Sequence, residues 1–435
     1  MFSRIGLLLC LSLRLTAADL RAAAEIVDIT PPAGTRMWGY TGRDQGGTGA
    51  ADKLGARILY LEGENDAVAW VDLDLGRTFG RDAMDWVREQ VQVSIPHVVF
   101  SATHTHSGPE VLESYGEARP EWEQRALQAI VAALLKARNN AQSVRLGFAY
   151  GRSEIGYNRR LVEGGRVTML FDSRRDGRRA SGPTDPTVAV LRLDRRDGTP
   201  LAVIVNATAH PVLLGRGNLR FSPDYPGPLR RAVERAWNPG PVCFFLQGAT
   251  GVINPLWPSE ATTEDEAVSQ LGERLASEVL RVANTIQSRP AATGRVEVRQ
   301  ESVLLRSRWG PLDFAGEYRL LAPYVGHIAS LLQVPVTAIV VDNAVALVTF
   351  PGEMFVEHQL DLRKRSPIRD TMVAGYADGY YGYFPTIEAA AAGGYGANDV
   401  MAATELGGGE SLVNRALILL NSALGRFRRE PPPAR

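Results

Sequence analysis

Residues 101–110 read Ser-Ala-Thr-His-Thr-His-Ser-Gly-Pro-Glu and place two of the chain's six histidines one residue apart, at the end of a run of β-formers. In an extended segment side chains alternate faces, so His104 and His106 are expected to point the same way, with Thr105 opposite. The pair could be two metal ligands, one ligand and one catalytic group, or two polar side chains at a strand end. A further histidine, His210, follows the β-run of "LAVIVNATAHPVLLG", just before Pro211. An acid, Glu353, follows the β-run of "AVALVTFPGEMFVEHQL", after Pro351-Gly352. Two histidines and a carboxylate at three strand ends form the donor set a catalytic zinc prefers, with positions left for water or substrate. Read singly, each is ordinary: a strand-end histidine is usually a satisfied polar group, and Glu353 suits the start of a helix. Glu357 and His358 are read as solvent-facing positions of that helix. His97 and His327 are read as structural, and Arg159-Arg160 and Arg363 to Arg365 as parts of solvated faces.

These residues need strand ends and helices to hold them. β-rich apolar runs occur at 56–60, 67–75, 97–101, 187–193, 201–206, 242–246, 337–341 and 344–350. Helical periodicity occurs at 81–91, 121–136, 225–237, 265–286 and 410–424, and Thr262-Thr263 with the acids after them suit an N-cap at the fourth of these. The interleaving predicts an α/β fold, a mixed β-sheet core flanked by helices. The chain has 435 residues, 45% of them apolar, with 48 basic and 48 acidic side chains. That balance suits a globular domain with a sizeable core and gives no sign of nucleic-acid binding. No protein partner is indicated.

The N-terminal stretch MFSRIGLLLCLSLRLTAADLRAAAE has Arg4, a short apolar run and an alanine-rich end, the order of a secretory signal peptide over residues 1–24. Export, to the periplasm or outside the cell, is the expectation. Residues 25–428 then form one catalytic-type domain, and 429–435 a flexible tail. Leu9 before Cys10 argues against a lipid anchor, and only Cys243 lies outside the signal. A metal would therefore be held by nitrogen and oxygen.

Five stretches in order, "SATHTHSGP", "NATAHPVLLG", "FLQGATGVINP", "PGEMFVEH" and "GYADGYYGYFPTIEA" followed by "GGYGA", resemble the catalytic domain of the neutral/alkaline non-lysosomal ceramidase family. Those are secreted zinc amidases that hydrolyse the N-acyl bond of ceramide. The resemblance implies zinc ligands at His104, His210 and Glu353, with Tyr383 of "GYFPT" completing the site and Tyr380 and Tyr381 as neighbouring alternatives. It places His106 against substrate beside the metal and makes Tyr395 a further active-site tyrosine. Two departures accompany it. Where the family reads Gly-Asp-Val-Ser-Pro, with a catalytic serine, this chain reads Gly251-Val252-Ile253-Asn254-Pro255. Asparagine has no ionisable hydroxyl, so Asn254 could only donate to an oxyanion or orient a water. The sequence also lacks a counterpart of the family's C-terminal immunoglobulin-like domain.

The expected activity is zinc-dependent hydrolysis of a carboxamide by zinc-activated water, in a ceramide-like lipid or related N-acyl compound. A lipid substrate would bring transient contact with a membrane surface. Alternatives are a zinc hydrolase for a small polar amide or ester, and a catalytically silent exported binding protein. Asp224 is read either as orienting a histidine or as starting the next helix, and Asn158, Arg159 and Arg160 as a polar loop able to meet a head group.

Overall fold

The computed structural model describes residues 19–113, 115, 118–176, 182–308 and 330–427. Nine strands form one mixed sheet, in the order Val242–Gln247, Pro200–Ala207, Thr187–Arg195, Gln142–Arg152, Arg21–Asp28, Gly55–Glu62, Ala67–Leu73 and His97–Ala102, with Arg289–Pro290 also on Gln142–Arg152. A second sheet has the order Val296–Arg306, Leu331–Val341, Val345–Thr349 and Asp370–Ala374.

Side-chain alternation explains how these layers stack. On Gly55–Glu62 and Ala67–Leu73, Leu59, Leu61, Val68 and Trp70 face inward, onto Ile339, Val341 and Leu347 of the second sheet. The intervening Ile58, Tyr60, Ala69 and Val71 face outward, onto the Arg81–Val91 and Glu121–Asn139 helices. The Pro226–Arg235 and Glu264–Thr285 helices cover the other half of the large sheet. Val356–Arg365 and Gly408–Ala423 cover the small one. The result is helix, sheet, sheet, helix, with each buried Leu, Val or Ile contributing roughly 1.5–3 kcal/mol of transfer free energy. Thr263 caps its helix reciprocally with Glu266, as the sequence suggested.

Three parallel pairs matter for function: Ala67–Leu73 with His97–Ala102, Pro200–Ala207 with Val242–Gln247, and Val345–Thr349 with Asp370–Ala374. The outer edges of the nine-stranded sheet approach each other, for the Phe245 amide donates to Asp72 Oδ2 across 3.1 Å. The segment after Ala374 ties the three pairs together. Gly375 N donates to Gln247 O, Ala102 N to Tyr376 O, and Asp378 N to Phe100 O. All three carboxyl ends thereby open onto one place, the usual ligand side of parallel strands.

Several strands escaped the sequence reading. Arg21–Asp28 lies partly in the stretch assigned to a signal peptide, yet it pairs along its whole length with Gly55–Glu62. Gln142–Arg152 carries Gly147 and Gly151, which blunt its β signal; a Cβ at either would fall within 2.4 Å of an Ile286, Glu278 or Val282 side-chain atom. Val296–Arg306 is rich in charge because much of it faces solvent.

Candidate active site

His104 lies just beyond the His97–Ala102 strand. Its φ is +65°, in the left-handed region, so the strand alternation expected through His106 is interrupted. The two rings meet anyway, because a turn replaces the pleat. Their centroids are 4.9 Å apart and their Nε2 atoms 3.4 Å apart. Gly39, at φ +110°, permits this approach, since a Cβ there would sit 2.7 Å from Cγ and Nδ1 of His106. Positive φ at a non-glycine residue is costly and clusters at functional sites; Tyr376, at +55°, shares it and stacks on His104 at 3.9 Å.

His104 Nδ1 lies 2.6 Å from Gly76 O and His210 Nδ1 lies 3.0 Å from Ile253 O. A carbonyl only accepts, so both Nδ1 atoms carry hydrogen, the tautomer that leaves Nε2 as the nitrogen able to ligate a metal. Those two Nε2 atoms point at one carboxylate oxygen, Glu353 Oε2, at 3.7 Å and 3.2 Å. Burial and the nearby Arg159 push the His210 pKa down to about 4, which keeps that ring neutral at pH 7. Burial opposes the Glu353 charge, whereas positive charge on the His104 and His210 side holds its pKa well below the usual carboxylate value. Three acceptors facing one another with no hydrogen between them call for a cation. Neighbouring donors around a tetrahedral zinc, with bonds of about 2.0–2.1 Å, lie about 3.3 Å apart. The observed spacings fit that group.

His104, His106 and His210 therefore form a buried cluster that could hold a metal ion, with Glu353 against it. His106 Nδ1 has no partner, and burial together with the other two rings keeps its pKa well below the usual imidazole value. Trp38 meets both His104 and His106 edge-on, and Tyr40 meets His106. The second Glu353 oxygen accepts from Tyr380 at 2.5 Å.

Tyr383, paired with Glu353 in a short parallel bridge, accepts instead from Arg159 Nη2 at 3.0 Å. Burial and the Glu353 charge raise its pKa well above the usual phenol value. Tyr395 lies edge-on to Tyr383, its ring centroid 5.5 Å away. Tyr381 is structural, its hydroxyl bonded to Gln333 O.

Arg159 is the residue the sequence reading undervalued: it is buried, only 6% exposed. Its guanidinium donates to Asn254 Oδ1 at 3.2 Å, Gly251 O at 2.8 Å and Tyr383, and its Nε is buried without a partner. No carboxylate among the described residues forms an ion pair with it. Asn254 sits on the Ile253–Pro255 strand opposite Tyr157, and its Nδ2 points to Phe171 O at 3.4 Å. Both ends of that amide are engaged within the wall. A cavity of about 600 Å³ opens here, lined among others by His106, Arg159, Asn254, Trp257, Tyr383 and Tyr395.

Four further expectations are settled by contacts. Among the described residues Asp224 makes no hydrogen bond or ion pair with a histidine. It accepts from the Leu214 and Tyr225 amides, fixing the turn after His210, and burial raises its pKa to about 6. His358 is buried, not solvent-facing, because Gly409 of the last helix packs against its ring. Arg160 is buried too and donates to Gly393 O. His97 pairs with Asp66, as a structural residue would, and His327 lies outside the described residues.

Comparison with known proteins bears on the fold. The fold is similar to a solved ceramidase described as complexed with C2, with a TM-score of 0.76 and 18% identity over 95% of this chain and 76% of that one. The chain has the neutral ceramidase fold. The neutral ceramidase from Pseudomonas aeruginosa superposes with a TM-score of 0.75 and 19% identity, again over 95% of this chain and 76% of that one. In sequence, Neutral ceramidase A of Dictyostelium discoideum is 24% identical over 221 residues, 46% of this chain, and the match spans only 30% of that relative's length. No family model matches the chain. Among the described residues no helix is long and apolar enough to cross a membrane.

Proposed function

We propose that the chain is a metal-dependent amidohydrolase that cleaves an N-acyl bond, with zinc as the metal. The observation that carries this is the convergence of the His104 and His210 lone pairs on Glu353 Oε2, beside His106 and open to a cavity. His104, His210 and Glu353 would hold the metal, with Tyr380 fixing the carboxylate and Tyr383 at its side. A zinc ion in such a site lowers the pKa of water toward about 7 and polarises a carbonyl.

The chain's own residues supply the rest. Arg159 presents a desolvated cation to the oxygen of the reacting carbonyl, where negative charge develops as water's oxygen joins the carbon. His106, neutral at pH 7, can take a proton from that water and hand it to the leaving nitrogen as the C–N bond breaks, giving a carboxylic acid and an amine. Asn254, engaged with Arg159 and with the Phe171 carbonyl, positions the arginine and does not attack. Trp257, Phe171 and Tyr395 offer apolar surface for the acyl part.

Ceramide-like lipids are one substrate class for this arrangement. The charged wall of the cavity, with Arg159, Arg174, Arg216, Asp172 and Glu264, favours a second reading, a smaller polar amide or ester. Elemental analysis should find about one zinc per chain, and hydrolysis of N-acyl sphingosine beside short N-acyl amines should separate the two classes. Protein purified without chelator that carries no metal, or that cleaves none of these, refutes the enzyme reading in favour of a silent binding protein.

We also propose export. Asp19 and Leu20 are tied to Ser143 and Val144, and Arg21–Asp28 is a sheet strand. Signal cleavage is accordingly expected at the early end of the alanine-rich stretch, before Asp19, and N-terminal sequencing of exported protein checks it.

A further inference from the structure

The charges around the cavity are unequally matched. Glu264 is paired with Arg174, whose guanidinium also lies over Trp257, 4.3 Å from the ring centroid. Asp172 accepts from the Arg174 amide at 3.0 Å and stands 4.0 Å from Arg175. Both carboxylates of the outer wall are thus engaged. Two of the three guanidiniums are not neutralised in this way. Arg159 is buried with no carboxylate partner, and Arg216, exposed at the rim, has neither a hydrogen-bond nor an ion-pair partner among the described residues. A buried cation such as Arg159 is costly without an anion, and its charge and that of Arg216 add in one cavity.

The position of Arg216 is specific. Its Nη2 lies against Gly42, so near that a Cβ there would be 2.7 Å away, and Gly42 has φ +72°, where glycine is favoured. Three residues earlier on the same turn, Gly39 packs on the His106 ring. The backbone from Gly39 to Gly42 spans at most about 10 Å. Arg216 therefore stands within reach of the side of the reacting bond that His106 serves, the leaving nitrogen.

We propose that the substrate is an N-acylated amino acid, its carboxylate on the amine half received by Arg216 while Arg159 faces the reacting carbonyl. This rests on the amidohydrolase reading above and narrows its substrate class. An uncharged sphingoid amine would leave Arg216 unmatched.

The test compares N-hexanoyl derivatives of glycine, β-alanine and γ-aminobutyrate with their uncharged C-terminal amides, using the zinc-loaded full chain. For at least one spacer the carboxylate form should have kcat/KM about tenfold above its amide, mainly through KM, and the ratio should shrink as salt rises. In Arg216→Gln the ratio should fall toward one, and Arg216→Lys should restore part of it. Calorimetric binding of the same pairs to metal-free protein reads the preference without turnover. If binding shows the preference but nothing is hydrolysed, the anion site stands and the amidohydrolase reading falls. Hydrolysis with no preference for the carboxylate at any spacer, or a preference that survives Arg216→Gln, overturns the proposal.

Discussion

The floor of the site and the wall of its cavity are built in opposite ways. On the floor, His104, His210 and Glu353 follow the ends of three parallel strand pairs, and both histidines have their second nitrogen bonded to a backbone carbonyl. On the wall, Arg159, Phe171, Arg174, Arg216 and Trp257 come from loops, and Arg159 lies over Phe171 while Arg174 lies over Trp257 and pairs with the exposed Glu264. The rigid part is suited to a fixed reaction and the loop part to fitting the substrate. Asn254 joins the two, on a strand but bonded into the wall.

The strongest way to break this division is His104→Ala. It should abolish metal binding and lower hydrolysis by at least about 10³-fold, while circular dichroism shows the sheets intact. Retained metal would mean that the floor has been misassigned. Arg159→Ala should cost about 10²–10³ in kcat with metal content unchanged, since the guanidinium acts on charge and not on the ion. Parallel loss of metal would merge wall and floor into one unit. Tyr380→Phe removes a hydrogen bond to Glu353 and should weaken zinc affinity by about 10–100-fold in a competition titration, with kcat at saturating zinc nearly kept. Asn254→Ala should give the smallest effect, about tenfold in kcat, because Arg159 keeps its bonds to Gly251 and Tyr383. A loss as large as that of Arg159→Ala would show the amide itself acting at the reacting carbonyl.

Much of the floor could be read from the sequence because its residues sit where strand patterns stop. His210 before Pro211 and Glu353 after Pro351-Gly352 are punctuated that way. The mixed α/β architecture was legible for the same reason, and the Arg81–Val91 helix agrees to the residue. The wall was not legible. Arg159-Arg160 looks like any short basic pair, and segments distant in sequence engage it, Gly251 and Asn254 at Arg159 and Gly393 at Arg160. Trp38 and Tyr40 lie in a glycine-rich turn whose one clue was its glycines, which admit the His106 ring and the Arg216 tip. For His104 and His106 the expected outcome held for a different reason: a left-handed turn, not strand alternation, brings the rings together.

The segment Gly375–Asp378, which bonds to Gln247, Ala102 and Phe100, makes the floor a reporter of assembly. His210 and Glu353 are 143 positions apart and follow strands of different sheets, so no piece of the chain that carries one sheet alone can contain a finished site. Metal affinity should then record how well the two sheets are docked. A cavity cut between them, as by Leu347→Ala, would loosen the ion without touching one of its ligands.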